Sequence, residues 1–371
     1  MEKDDERGPG LAEAPVVWTL FGVAALMVLV TYARLPPAEL YNVDEDGLAG
    51  GAGRALVFLG YPTALAAVAV LGLVADRPAS PAERGVTFAA ALLCASVVWP
   101  GVVEQSDLDA KPVNALAGVG VLLALGLMVV ALVRGGLGRS APLGPWDAVR
   151  AALAVVLLLA AVPWLAADLG FSADDAPGLG FLMGGEPRPE PGHPDLIAVH
   201  LGHHHGLDGT LLALTALLLS RAVPLVRGSR LRLALGFYVA LMLVYGLANA
   251  LEDFWLEQLV KRGTTDARLP GMIRPDASPE WGALLAAALL IQSAALTVRR
   301  LRNRTDREEL HDTTRSRAPA RRPCRRARRG RVRRRRRRRG GRAGRDRRRR
   351  GRRHHAGARR RPGRRPRVRH E

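Results

Sequence analysis

Residues 209–251 read GTLLALTALLLSRAVPLVRGSRLRLALGFYVALMLVYGLANAL. Two apolar runs, 209–226 and 233–251, flank a short connection carrying Arg227, Arg230 and Arg232. As a helix, each run reaches across a hydrocarbon core of about 30 Å, a span that takes roughly 20 residues. Backbone groups in lipid must be satisfied within the segment, so runs of this length imply helices and not isolated strands. A helical hairpin with basic residues at its bend is the unit from which the rest is read.

Six more windows of the same kind lie at 16–33, 55–74, 85–103, 113–133, 151–167 and 282–298. The predicted fold is therefore all-α, a polytopic transmembrane helix bundle of about eight spans over residues 16–298. A short segment, 1–15, precedes it and an Arg-rich tail, 299–371, follows. Gly118, Gly120 and Gly126 in the fourth window suit close approach of neighbouring helices. The pattern excludes a soluble enzyme, and two cysteines in 371 residues exclude a disulfide-stapled secreted domain. The opening MEKDDERGPG is acidic on balance and no A-x-A site follows the first apolar run, so span one is expected to remain as an uncleaved anchor.

Charge is split unevenly along the chain. Residues 299–371 hold 36 of the 55 basic residues, all Arg, with six acids, whereas the first 298 residues hold 19 basic and 28 acidic ones. The basic whole-chain average belongs to the tail. Within the body, Arg77 and Arg84, then Arg134, Arg139 and Arg150, then Arg227, Arg230 and Arg232 follow even-numbered spans, with Arg221 one turn inside the sixth and able to snorkel. Connections after odd-numbered spans carry fewer per residue. Lys and Arg retained on the cytoplasmic side place both termini in the cytoplasm, in the cytoplasmic membrane, with four acidic connections outside. Trp18, Trp99, Trp146, Trp164, Trp255 and Trp281 all fall at span ends, as interfacial aromatic belts require.

No Asp, Glu, Lys or His lies in the middle of any window. Polar residues there are hydroxyls, one amide and one thiol, among them Thr63, Thr87, Cys94, Thr215, Tyr238, Tyr245 and Gln292. Hydroxyls can bond to their own helix backbone. Ionisable groups at membrane depth mark proton relays and ion-coupled carriers, so transport is the weakest of the functional readings. Pro62, Pro100, Pro163 and Pro224 are expected to kink or end their helices.

Chemistry concentrates on the predicted outer side. All five histidines of the body lie in HPDLIAVHLGHHHGLDG: His193, His200, His203, His204 and His205. On a helix His200 would share a face with His203 and His204, and imidazoles three or four residues apart can converge on one metal ion. Gly202 and Gly206 work against a regular helix and favour a turn. Asp208 could ligate as an oxygen donor, or fix a histidine tautomer from behind. In NALEDFWLEQLVK a helix would stack Asn249, Asp253 and Glu257 at i, i+4 and i+8. The candidate metal ligands are thus His200, His203, His204, Asp208, Asp253 and Glu257, a set suited to Zn²⁺, Mn²⁺ or Fe²⁺. Glu257 and Lys261 read equally well as an ordinary pair on a helix surface. A solvated or pH-sensing histidine patch is the competing reading of the tract.

His200-x-x-His203-His204 resembles a single histidine box of the membrane fatty-acid desaturases and hydroxylases. The resemblance implies a di-iron centre, but that family carries three boxes on the cytoplasmic side. This chain has one, on the predicted outer side, and the resemblance covers five residues.

Residues 315–371 are Arg, Gly, Ala and Pro with almost nothing to bury, as in RVRRRRRRRGGRAGRDRRRR, and are expected to be disordered. A genuine tail would bind anionic lipid headgroups, or phosphate backbones without sequence choice. An out-of-frame origin from GC-rich DNA accounts for the same composition, including the absence of Lys. The expectation for the whole chain is a membrane protein with a divalent-metal site on its extracytoplasmic face, including a metal-dependent hydrolase or transferase. The alternative is a scaffold or assembly protein whose long outer loop binds a partner.

Overall fold

Local signals account for most helix ends. A computed structural model describes residues 11–34, 47–77, 79–103, 110–136, 141–173, 205–272 and 275–316, with a few positions between them. In chain order the helices are α1 (Glu13–Arg34), α2 (Gly47–Ala75), α3 (Pro81–Ala95), α4 (Asn114–Gly135) and α5 (Pro145–Ala160). They continue as α6 (Val162–Asp168), α7 (His205–Leu219), α8 (Ser229–Trp255) and α9 (Pro279–Ser316). A small antiparallel ribbon, β1 (Pro189–Glu190) with β2 (His193–Ile197), lies in the connection before α7. Ser80 and Glu83 form a reciprocal capping box at the start of α3, with Pro81 in the first turn. Gly136 closes α4 at φ +62, its N–H 2.7 Å from the Leu132 carbonyl.

Among the described residues seven helices are long and apolar enough to cross a membrane: α1, α2, α3 with its following turn, α4, α7, α8 and α9. The fifth predicted span is a broken one. α5 and α6 meet at 47° beside Pro163, which has no N–H for the preceding turn and whose ring crowds the carbonyl there. Counted as one span, the pair makes eight. Pro62, by contrast, sits inside α2 without ending it.

The core is centred on α2, α7 and α8. The spanning windows of α2 and α7 are 65% and 72% buried, against 17% for α9, so α9 lies at the periphery. α7 and α8 cross with almost no side chain between them. A Cβ on Gly209 would stand 2.6 Å from the Gly246 carbonyl oxygen, and one on Gly246 would stand 2.6 Å from that of Gly209. Small residues at a crossing of this kind let backbones pack directly. Around this centre Phe88, Leu122, Val133, Leu159 and Leu290 point outward, each more than half exposed. A continuous aliphatic belt of this size is unfavourable in water and natural in lipid.

One end of the bundle is tied by arginines. Asp76 and Arg77, adjacent residues after α2, bind two different helices by opposite ends. The Asp76 carboxylate accepts from the backbone N–H groups of Arg227 and Gly228, at 2.7 and 2.9 Å, just before α8. Arg77 Nη1 donates to the carbonyls of Ala131 and Gly136, at 2.9 and 3.0 Å, at the end of α4. Each charge thus meets the pole of the helix dipole that favours it. At the same end Arg221 lies 3.6 Å from Glu13 and 3.5 Å from Asp147, Arg150 pairs with Asp147 at 3.0 Å, and Arg134 pairs with Glu83.

Candidate functional site

The opposite end of α8 carries Asn249, Glu252, Asp253 and Glu257. Their spacing puts them on one side of the helix, and the structure turns that side inward, leaving Asn249 3% and Asp253 1% exposed. Glu252 joins them because it is Asp253's neighbour. The first residue of α7, His205, lies between the two acids. Its Nε2 is 2.8 Å from Glu252 Oε2 and its Nδ1 is 2.9 Å from Asp253 Oδ1, with the imidazole only 16% exposed. Both ring nitrogens therefore face carboxylate oxygen. The Nε2 contact is a hydrogen bond, and the Nδ1 contact is an ion-pair approach.

A glycine makes this approach possible. A Cβ on Gly206 would meet Trp164 Cζ2 at 2.3 Å and Asp253 Oδ2 at 2.6 Å. Trp164, on α6, is fully buried and packs edge to face on Phe254 with ring centroids 6.1 Å apart. Asp168, one turn further along α6, is buried too, as is Asp208 on α7. Trp164 Nε1 and Asn249 Oδ1, both buried in this region, have no hydrogen-bond partner among the described residues. A donor and an acceptor left in this state are places where water or a ligand atom is favoured.

Beyond Trp255 the helix widens into a π turn, Leu256–Val260, with Lys261 N–H bonded to the Leu256 carbonyl at 2.9 Å. The added residue offsets the sideways drift of an i, i+4 row, so Glu257 and Lys261 stay in line with Asp253. π turns of this kind are frequent at functional sites. Glu257 Oε1 and Lys261 Nζ are 3.0 Å apart and both side chains are less than a tenth exposed. The surface-pair reading of these two residues is thus corrected: spacing gave the pairing, and burial makes it an interior ion pair.

A hydroxyl track leads from the site toward the bundle centre. Tyr245 OH lies 3.4 Å from Tyr61 OH, Tyr245 stacks on Trp281 at 5.4 Å, and Tyr238 OH donates to the Leu65 carbonyl at 2.8 Å. At the same end Arg54 is buried in α2, its guanidinium 5.8 Å from the centroid of the Tyr32 ring.

Of the six residues expected to ligate a metal, Asp208, Asp253 and Glu257 lie at this end and are buried. His200, His203 and His204 lie outside the described residues. Among the described residues no group of three or more His, Cys, Asp or Glu side chains is arranged to hold a metal ion. His205 and Glu252 were not among the expected ligands. The available signal was the Glu252–Asp253 doublet, which puts one acid on each side of any residue that faces it. Comparison with protein-family models, with curated proteins and with solved structures finds no match for the chain.

Proposed function

We propose that the chain is a polytopic protein of the cytoplasmic membrane with both termini inside, and that its extracytoplasmic end binds a divalent metal ion. Orientation rests on the arginines that gather at the Asp76–Arg77 end, the side that the positive-inside rule assigns to the cytoplasm. The observation that carries the metal reading is the posture of His205. Metal-bound histidines present one nitrogen to the ion and donate the other N–H to a carboxylate. Here Nδ1 faces Asp253, and Nε2 faces Glu252 Oε2 at 2.8 Å. Adjacent ligands of an ion bound at about 2.1 Å stand roughly 3 Å apart, so this N···O edge can open around a metal with little movement.

In this reading His205 and Glu252 are ligands and Asp253 orients the imidazole. His200, His203 and His204, which immediately precede His205 in sequence, supply further nitrogens, and Asp208 a further oxygen. Glu257 is reassigned from ligand to counter-ion of Lys261, the partner its carboxylate meets. The mixed nitrogen and oxygen set suits Zn²⁺, Mn²⁺ or Fe²⁺. Such an ion, when bound, supplies Lewis acidity and an activated water, which is the chemistry of a hydrolase or transferase.

Elemental mass spectrometry of the full chain, purified without an affinity tag, tests the reading. The expected result is about one equivalent of a single metal, lost in Glu252→Gln and in His203→Ala/His204→Ala, with protons released on reloading. Metal absent from the wild type, or present equally in all three proteins, overturns it. The ribbon in the long connection before α7 would then direct attention to a scaffold role.

A further inference from the structure

At the Asp76–Arg77 end, four arginines have no acidic partner among the described residues. Arg230 and Arg232 belong to the first turn of α8, Arg299 and Arg300 to α9. Arg232 Nη1 donates to the Val226 carbonyl at 2.9 Å and Arg299 Nη2 to the Pro224 carbonyl at 3.1 Å. Both therefore meet the same short turn between α7 and α8, at its Val226 and Pro224 carbonyls. The described acids at this end are occupied: Glu13 and Asp147 face Arg221, Glu83 faces Arg134, and Asp76 binds the backbone ahead of α8. Like charges brought together without a counter-ion call for an anion.

The surroundings say what kind. Leu233 and Val298, each next in sequence to one of the paired arginines, are 52% and 43% exposed and face the same outside. An anion that meets guanidinium groups and aliphatic side chains one residue apart, at the end of spanning helices, is the phosphate of an anionic phospholipid with its acyl chains alongside. We infer that the corner formed by α8, α9 and the turn between α7 and α8 is a binding site for an anionic phospholipid headgroup, held by Arg232 and Arg299 with Arg230 and Arg300 at its rim. Arginine suits the role because its planar fork can give a phosphate two donors at once. The site is built from helices and uses none of residues 315–371. It is independent of the metal reading, which concerns the other end of the bundle.

The test uses the full chain in detergent, back-titrated with phosphatidylglycerol, phosphatidylcholine or inorganic phosphate. Bound lipid is counted by native mass spectrometry and thermal stability is followed in parallel. Phosphatidylglycerol is expected to bind and to raise the unfolding temperature, while the other two do neither. Arg232→Gln/Arg299→Gln should weaken that binding about tenfold or more, as expected for loss of two charges near a headgroup. Arg232→Lys/Arg299→Lys should fall between the two. Residues 315–371 are common to all the proteins and cancel in the comparison. Should the Gln pair fail to fold, Arg230→Gln/Arg300→Gln, at exposed positions, gives the deciding measurement, with a smaller loss expected. Equal protection by phosphatidylcholine or by inorganic phosphate, or undiminished phosphatidylglycerol binding in the Gln variant that folds, overturns the site.

Discussion

The two ends of the bundle solve the same problem, charge beside a hydrocarbon layer, in opposite ways. At the Asp76–Arg77 end the buried Arg77 is spent on a helix end, and the ion pairs have at least one partly exposed partner; Arg134, for example, is 64% exposed. At the His205 end they are drawn inside: Glu252, Asp253, Glu257 and Lys261 are all less than a tenth exposed. Perimeter pairs cost little to make and contribute little, whereas buried ones carry a heavy desolvation penalty that only complete pairing offsets. A fold that needed only to hold its helices together would do better with apolar residues at the second end. The difference is the reason the functional proposal is placed at the His205 end.

The contrast can be broken most severely at His205. His205→Ala leaves Glu252 and Asp253 facing each other without the group between them, and should lower stability by about 3–5 kcal/mol, read as unfolding in mixed micelles. The triple variant His205→Gln/Glu252→Gln/Asp253→Asn removes the charges together and should recover most of that loss. If it does not, the cluster is structural after all and the contrast collapses. A smaller effect is expected at the crossing between the two ends. Gly209→Ala or Gly246→Ala forces α7 and α8 apart, at about 1–3 kcal/mol each by the same assay. At the arginine end, Asp76→Ala removes a helix-terminus acceptor and should cost about 1 kcal/mol. Arg134→Ala, on the perimeter, should fall below about 1 kcal/mol and shrink further in high salt. A loss at Arg134 as large as the one at His205 would erase the distinction between the ends.

The helices could be read in the sequence because apolar runs of membrane length leave the backbone no other way to satisfy itself. Their ends were harder. The second window was read from residue 55, but α2 starts at Gly47. GLAGGAG looks like a loop, yet Gly51 is the point where α2 passes over α1: a Cβ there would stand 2.5 Å from the Leu29 carbonyl. Glycine needed for close packing and glycine needed for a turn look the same in one dimension. That Asn249, Asp253 and Glu257 share a face is legible from their i, i+4 spacing; that the face turns inward is not. Glu252 was not legible, because spacing does not say which of two adjacent acids will find a partner. His205 was hidden for another reason. Its contacts lie 47 and 48 residues away, and only the direct contact of α7 with α8 at Gly209 and Gly246 brings them into reach.

The Asp76–Arg77 dipeptide has a consequence for how the chain is made. Asp76 finds its partners 151 and 152 residues further on, at Arg227 and Gly228, while Arg77 binds Ala131 and Gly136, 54 and 59 residues on. At a synthesis rate of about 5–20 residues per second, α4 is available to Arg77 within roughly 3–12 s, but Asp76 waits for roughly 8–30 s. The two halves of one clasp thus close in a set order. Until α8 leaves the ribosome, the carboxylate remains open to water or to a helper protein, and a nascent chain stalled before residue 227 would present that open half as its signature.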